Sequence, residues 1–252
     1  MEAGENAGYM GLAAVYDALT ENVPYDEIAV YYNNILTQLR GEPANGALLL
    51  DMGCGTGNLT VRLARLGWEV IGSDASEDML AAAFPKDERV RWICQSMTET
   101  ELYGTVQAAV STLDSINHLA GADEMEQCFK QLAQNMESGG VFVFDVNTIY
   151  KHREVLADNT FVYDLDGVYC AWSSTYSPED NGVDIELDIF TENPDGSYER
   201  NWDGFRESAV TQEEMERLLR GAGFEVERVY DYLTFDPPHE KSEKLLFAAR
   251  KL

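Results

Sequence analysis

Short apolar runs alternate along most of the chain with longer stretches whose apolar residues recur every three or four positions. ALLLDM leads into NLTVRLARLG, WEVIGSDA into SEDMLAAAF, and VQAAVSTL and GVFVFDVN flank ADEMEQCFKQLAQNM. Runs that lack strict polar alternation are strands covered on both faces, and the periodic stretches between them are the covering helices. With VRWICQS and the closing runs FEVERVYDYL and KLLFAARKL, the pattern predicts an α/β class fold. Its core is a doubly wound, mostly parallel seven-stranded sheet. No helical stretch joins the last two runs across DPPHEKSE, so the final strand is expected to run antiparallel. Ser76 is placed to cap the helix of SEDMLAAAF. Thr211 and Glu214 have capping-box spacing, and Gly223 is a natural stop for their helix.

Two regions depart from this alternation. From Gly8 to about Arg40 the pattern is helical, with Leu12, Val15, Tyr16 and Leu19 on one face and Ile28, Tyr31, Tyr32, Ile35, Leu36 and Leu39 on another. Pro24 suits the first turn of the second helix there. Near Thr148 the texture changes to alternating side chains separated by the turns Pro178–Gly182 and Asn193–Gly196, which predicts an inserted antiparallel β-sheet. The expected organisation is a core of residues 1–147 and 208–252, with an N-terminal helical cap over 1–42, and an insertion over 148–207 that carries substrate specificity.

Charge narrows the partners. With 18 Lys+Arg against 45 Asp+Glu the formal net charge is -27, and no run of basic residues interrupts it. Nucleic-acid binding draws much of its strength from counterion release at Lys and Arg, so such a partner is disfavoured. No apolar run approaches a membrane span, and the opening MEAGENAGYM carries acids where an export signal carries Lys or Arg, so a cytoplasmic protein is expected. The four cysteines lie far apart without a CxxC, and no metal site is expected. A monomer or homodimer is the expected assembly.

The candidate chemistry centres on LLLDMGCGTGNLT, where a strand runs into Asp51 and then Gly53, Gly55 and Gly57. A P-loop needs a closing Gly-Lys-Ser/Thr, and no lysine is near. A dinucleotide fingerprint needs its third glycine where Asn58 stands. A simple tight turn needs fewer glycines and no acid. S-adenosylmethionine fits better: it is cationic and carries no phosphate, so it asks for a bare backbone and a nearby carboxylate such as Asp51. Cys54 reads as a small residue packed under the turn, and burial rather than nucleophilic attack is its expected role.

LLLDMGCGTGN closely resembles motif I of the class I S-adenosylmethionine-dependent methyltransferases, and later elements follow in the order of that family. The resemblance implies a Rossmann-like fold and a loop, Gly53, Cys54, Gly55, Gly57 and Asn58, that holds the cofactor. Asp74, at the end of the second strand with Ala75 beside it, is placed to accept the ribose hydroxyls; capping of the next helix is its alternative. By resemblance Met79 packs on adenine, although core filling explains it as well. Ser96 stands where the family more often has Asp, which leaves the Met97 amide as the adenine contact. STLDSINHL ends the fourth strand where the fold faces the transferred methyl group: Leu113 covers the cofactor, and Asp114 and His118 are the catalytic candidates, His118 as a base or as a locally bonded helix-start residue. GYMGLAAVYDALTENVPYDEIAVYY resembles the N-terminal cap of small bacterial members related to sugar-amine and antibiotic N-methyltransferases, where tyrosines at the positions of Tyr9, Tyr16 and Tyr25 close over the cofactor. Arg206 and Glu207 are candidates for orienting substrate. The expected activity is methyl transfer to the nitrogen or oxygen of a small-molecule acceptor; an RNA or protein methyltransferase and a non-catalytic cofactor-binding regulator are the alternatives.

Overall fold

The computed structural model describes residues 10–252. Three N-terminal helices, α1 (Met10–Ala13), α2 (Tyr16–Leu19) and α3 (Tyr25–Arg40), precede an alternating series: β1 (Leu48–Met52), α4 (Asn58–Arg65), β2 (Glu69–Asp74), α5 (Glu77–Ala83), β3 (Arg91–Cys94), β4 (Val106–Ser111), α6 (Ala122–Gln134) and β5 (Met136–Asn147). A second sheet follows, made of β6 (Thr160–Leu165), β7 (Val168–Ser177), β8 (Gly182–Glu192) and β9 (Tyr198–Glu207). The chain then returns through α7 (Gln212–Gly221), β10 (Phe224–Asp231) and β11 (Lys244–Lys251).

The first sheet has the strand order β10-β11-β5-β4-β1-β2-β3, and β11 runs antiparallel to both β5 and β10. One face is packed with aromatic rings, Phe142 and Phe144 stacked at 4.6 Å beneath Phe129, and α6 and α7 cover it. The other face presents Leu49, Val70, Val110 and Val143 to α3 and α4. Apolar burial on both faces is what the continuous runs required. Strand order reverses between β1 and β4, and this is where an open α/β sheet forms its crevice.

Several local expectations are refined. The part of the N-terminal segment before Pro24 is broken into two one-turn helices: the Thr20 hydroxyl donates back to the Tyr16 carbonyl at 2.8 Å and closes α2, while Pro24 caps α3 instead of lying within it. The fourth strand stops at Ser111, because Leu113 and Asp114 turn into the left-handed region with φ 53° and 60°. Within the insertion, β6 and β7 pair as a hairpin about a further turn at Gly167, whose φ is 73°. Thr211 accepts the Glu214 amide at 3.2 Å, but the Glu214 carboxylate turns to Arg217, so only half of the capping box forms. No helix among the described residues is long and apolar enough to cross a membrane.

Candidate active site

A cavity of about 620 Å³ opens at the C-terminal ends of β1, β2 and β4, between the first sheet, the N-terminal helices and one face of the second sheet. Its floor is the glycine turn. Gly53 and Gly55 both line it, with φ of 68° and 52°, a conformation that a Cβ penalises. A Cβ on Gly53 would sit 2.7 Å from that of Ser115, whereas one on Gly55 would meet no atom within 4 Å and would project into open space. Gly57 serves a different purpose, since a Cβ there would lie 2.4 Å from the Trp92 ring. It lets α4 approach β3 and does not border the cavity. Cys54 lies beneath the turn, with burial pushing its thiol well up, and also stays out of the lining.

Two carboxylates brace this turn. Asp51 is 1% exposed; its Oδ2 accepts the Thr60 hydroxyl at 2.6 Å, while Oδ1 is buried without a partner. Burial, partly offset by Thr60 and reinforced by the charge of Asp74, pushes Asp51 up to about 7. Asp74 does border the cavity, and its oxygens accept the Gly55 amide at 2.7 Å and the Ser76 amide at 2.9 Å. Burial raises Asp74 too, against the pull of those amides. The helix itself is capped by Ser76, which accepts the Met79 amide at 3.2 Å. Ala75, Met79, Ser96 and Met97 complete this end of the lining, with the Ser96 hydroxyl bonded at 2.9 Å to that of Thr98.

The loop after β4 is held from below. Asp145, wholly buried on β5, accepts the amides of Leu113 at 2.8 Å and Asp114 at 3.1 Å, the hydroxyl of Tyr32 at 2.8 Å and the ammonium of Lys244 at 3.1 Å. Lys244 also donates to Asp114 at 2.8 Å. Burial alone would raise Asp114, but Lys244 and Lys151 outweigh it and keep the carboxyl well below its ordinary range. Burial likewise disfavours the Lys244 ammonium, and Asp114 and Asp145 overcome it. Leu113, Asp114 and His118 thus reach the cavity on a loop fixed by charge, and the His118 ring lies 4.8 Å from that of Phe205.

The opposite wall comes from the second sheet: Tyr163, Trp172, Leu187, Phe205 and Glu207. Asp74, Asp114, Glu124 and Glu207 border the cavity, and no Lys or Arg among the described residues does. Arg206 points to the other face of its strand, bridging Asp180 and Asp184, and this places it away from the site. Tyr16 borders the cavity, but Tyr25 is packed under the Arg62 guanidinium and does not. Tyr9 lies outside the described residues. The cap is clasped over the turn by Asp17, which accepts from Thr56 at 2.6 Å, Asn58 at 2.9 Å and Lys86 at 2.6 Å; this commits Asn58 to the clasp, outside the lining.

Asp17, Asp145 and Lys244, together with Asn147 and His152, whose side chains bond to Glu207 in the lining, do not stand out in the sequence pattern. A signal exists for two of them, because Asp145 and Asn147 are polar residues inside the otherwise apolar run GVFVFDVN. The open space over Gly55, the unpartnered Asp51 oxygen and a lining with carboxylates and, among the described residues, no Lys or Arg suit a cationic nucleoside without phosphate.

Comparison with known proteins agrees with this chemistry. The methyltransferase domain family matches residues 49–140. A protein of Geobacillus sp. (strain WCH70) named as a methyltransferase is 32% identical over 247 residues, which cover 96% of this chain and 99% of that one. The dTDP-3-amino-3,6-dideoxy-alpha-D-glucopyranose N,N-dimethyltransferase of Streptomyces fradiae is 26% identical over 229 residues, covering 89% of this chain and 88% of its own. The crystal structure of an S-adenosylmethionine-dependent methyltransferase from Clostridium acetobutylicum ATCC 824 superposes with a TM-score of 0.85 at 25% identity, covering 96% of this chain and 98% of that one. Sequence, fold and cavity therefore agree that the chain belongs to the S-adenosylmethionine-dependent methyltransferases.

Proposed function

We propose that the protein methylates an amine on a small molecule, with the donor held by the first sheet and the acceptor by the second. One observation carries this reading: four carboxylates and, among the described residues, no Lys or Arg face a cavity whose other wall is aromatic. That environment attracts a cationic amine and packs a compact ring, and it repels phosphate, which argues against a nucleic-acid acceptor. The name of the Streptomyces fradiae relative, an amino-sugar N,N-dimethyltransferase, points the same way.

The donor supplies an activated methyl group on a sulfonium. In this reading Gly53 and Gly55 allow close approach to it, Asp51 contributes negative charge from behind the turn, and Asp74 accepts the ribose hydroxyls with the lone pairs that its own amides leave. Ala75, Met79, Ser96 and Met97 enclose the adenine, and Leu113 and Tyr16 cover the reacting end. Asp114 and His118 border the acceptor nitrogen, while the insertion over 148–207 roofs it. Alignment and exclusion of water are the protein's main contribution, an effect worth about 7–11 kcal/mol in well-oriented systems.

Calorimetric titration with S-adenosylmethionine and S-adenosylhomocysteine tests the donor half, and binding of neither would overturn it. Transfer of labelled methyl to D-glucosamine and benzylamine, set against D-glucose and benzyl alcohol, tests the acceptor half. Preference for the alcohols would overturn the amine reading.

A further inference from the structure

His152 lies in the π-helical turn Lys151–Leu156 that links the two sheets, and its side chain is wholly buried. Its Nδ1 is 2.8 Å from the Asn181 carbonyl oxygen, and its Nε2 is 3.2 Å from Glu207 Oε2. A carbonyl only accepts, so Nδ1 carries a proton. An ionised carboxylate also only accepts, so a second proton must lie between Nε2 and Oε2. A neutral imidazole beside an ionised Glu207 would turn a lone pair on one of these two acceptors. Written as imidazolium with carboxylate, or as imidazole with carboxylic acid, the pair has no net charge.

Glu207 is the last residue of β9 and borders the cavity. Its Oε2 is occupied by His152 and by Asn147 Nδ2, which donates at 2.7 Å. Its Oε1 accepts no hydrogen bond from a described residue, yet it is not among the buried atoms left without a partner, as Asp51 Oδ1 is. It is therefore the oxygen that reaches the cavity.

We propose that Glu207 Oε1 accepts an N–H of the acceptor amine, and that His152, acting through Glu207, cancels the carboxylate's charge so that the amine is held without being fixed as ammonium. This rests on the amine reading of the acceptor. A bare carboxylate a few ångströms away favours the charged form of an amine, and an ammonium has no lone pair with which to attack. The neutral pair orients the nitrogen and leaves its proton free to pass to water. The nitrogen lone pair then forms the N–C bond while the C–S bond breaks with its electrons retained by sulfur, and the product leaves as a methylated ammonium. Glu207 is the catalytic residue in this scheme and His152 a positioning residue. The charged groups around the pair are Asp114, which receives the other Asn147 Nδ2 hydrogen, Lys151, which donates to Asn147 Oδ1, Lys244 and Asp145 beyond Asp114, and His118 across the cavity. Tyr176 and the Arg206, Asp180 and Asp184 group lie toward the second sheet.

The test uses the full chain with D-glucosamine and benzylamine as acceptor probes and labelled S-adenosylmethionine as donor. Glu207→Gln turns an amide NH₂ toward the cavity, and it is expected to lower kcat/KM for both amines at least about tenfold while S-adenosylhomocysteine affinity stays within about twofold. His152→Gln keeps a donor to Oε2 but brings no charge. It is expected to leave KM equal or lower, to reduce kcat near neutrality, and to move the pH of half-maximal kcat upward by about one unit. Independently of any variant's folding, ¹⁵N and ¹³C spectra of labelled wild type are expected to show His152 as imidazolium, or Glu207 as the acid. A neutral His152 beside an ionised Glu207, a His152→Gln variant with an unmoved pH profile, or a Glu207→Gln variant with unchanged amine kinetics would overturn the proposal alone. Wild type that binds S-adenosylhomocysteine but methylates neither amine would overturn the amine reading and this proposal with it.

Discussion

Asp145 accepts the Leu113 amide at 2.8 Å, so a residue in the middle of the sheet core sets the conformation of a loop that borders the cavity. Leu113 and Asp114 are both left-handed, a conformation that costs side-chain-bearing residues about 1–2 kcal/mol each. The buried carboxylate offsets that cost by accepting both amides, and Lys244 and Tyr32 complete its coordination.

Lys244→Met removes the cation shared by Asp114 and Asp145, which leaves Asp145 without its bonded cation and Asp114 with Lys151 alone. The expected loss is about 3–5 kcal/mol of unfolding free energy, measured by urea titration, together with weaker S-adenosylhomocysteine binding. A change below about 1 kcal/mol would show that the loop does not depend on this charge.

The glycines of the turn should separate into two kinds. Gly55→Ala has room for its methyl group and should cost only about 1–2 kcal/mol of stability, yet weaken S-adenosylmethionine roughly tenfold or more. Gly57→Ala must displace the Trp92 ring and should cost about 2–5 kcal/mol. Thermal melts paired with calorimetry distinguish them, and equal behaviour of the two variants would contradict the assignment.

Asp51 gives a pH signature. Its folded value of about 7 lies above the ordinary 3.8, so the native state binds the extra proton. Its contribution to stability is complete below about pH 4 and is lost as pH rises through 7. Asp51→Asn cannot ionise, and it should exceed wild type in stability by on the order of 4 kcal/mol at pH 8, with the difference shrinking toward pH 4. Urea unfolding of both proteins without ligand from pH 4.5 to 8 measures this, and parallel curves would refute it.

Trp172→Ala opens the aromatic wall where the indole meets the Phe205 ring edge-on at 6.1 Å. The expected outcome is an acceptor KM raised roughly tenfold, with S-adenosylhomocysteine affinity unchanged. A loss of donor binding instead would place Trp172 in the other half of the cavity.

The sheet and its crevice were legible because they follow from local pattern: apolar runs of strand length, glycines at the end of the first, and caps such as Ser76. The cavity includes Gly53, Gly55, Asp74, Ala75, Met79, Ser96, Met97, Leu113, Asp114, His118 and Tyr16. Gly57 and Asn58 belong to the same motif but face Trp92 and Asp17, and a linear motif does not say which way each residue looks. The polar web was not legible for a different reason. Lys244 reaches Asp114 across 130 positions of sequence, and the antiparallel register of β11 on β5 is what brings them together. His152 and Glu207 meet only because the second sheet folds back over the linker.

The side chains bordering the cavity divide by origin: those around the glycine turn come from the first sheet, its loops and the N-terminal segment, and the aromatic wall comes from β6, β7 and β9. With the donor on the first sheet and the acceptor on the second, as proposed, this arrangement makes the protein modular in the way an engineer would choose. Exchanging Tyr163, Trp172, Leu187 and Phe205 should retarget the methyl group to differently shaped acceptors, while the machinery that recognises the donor is inherited intact.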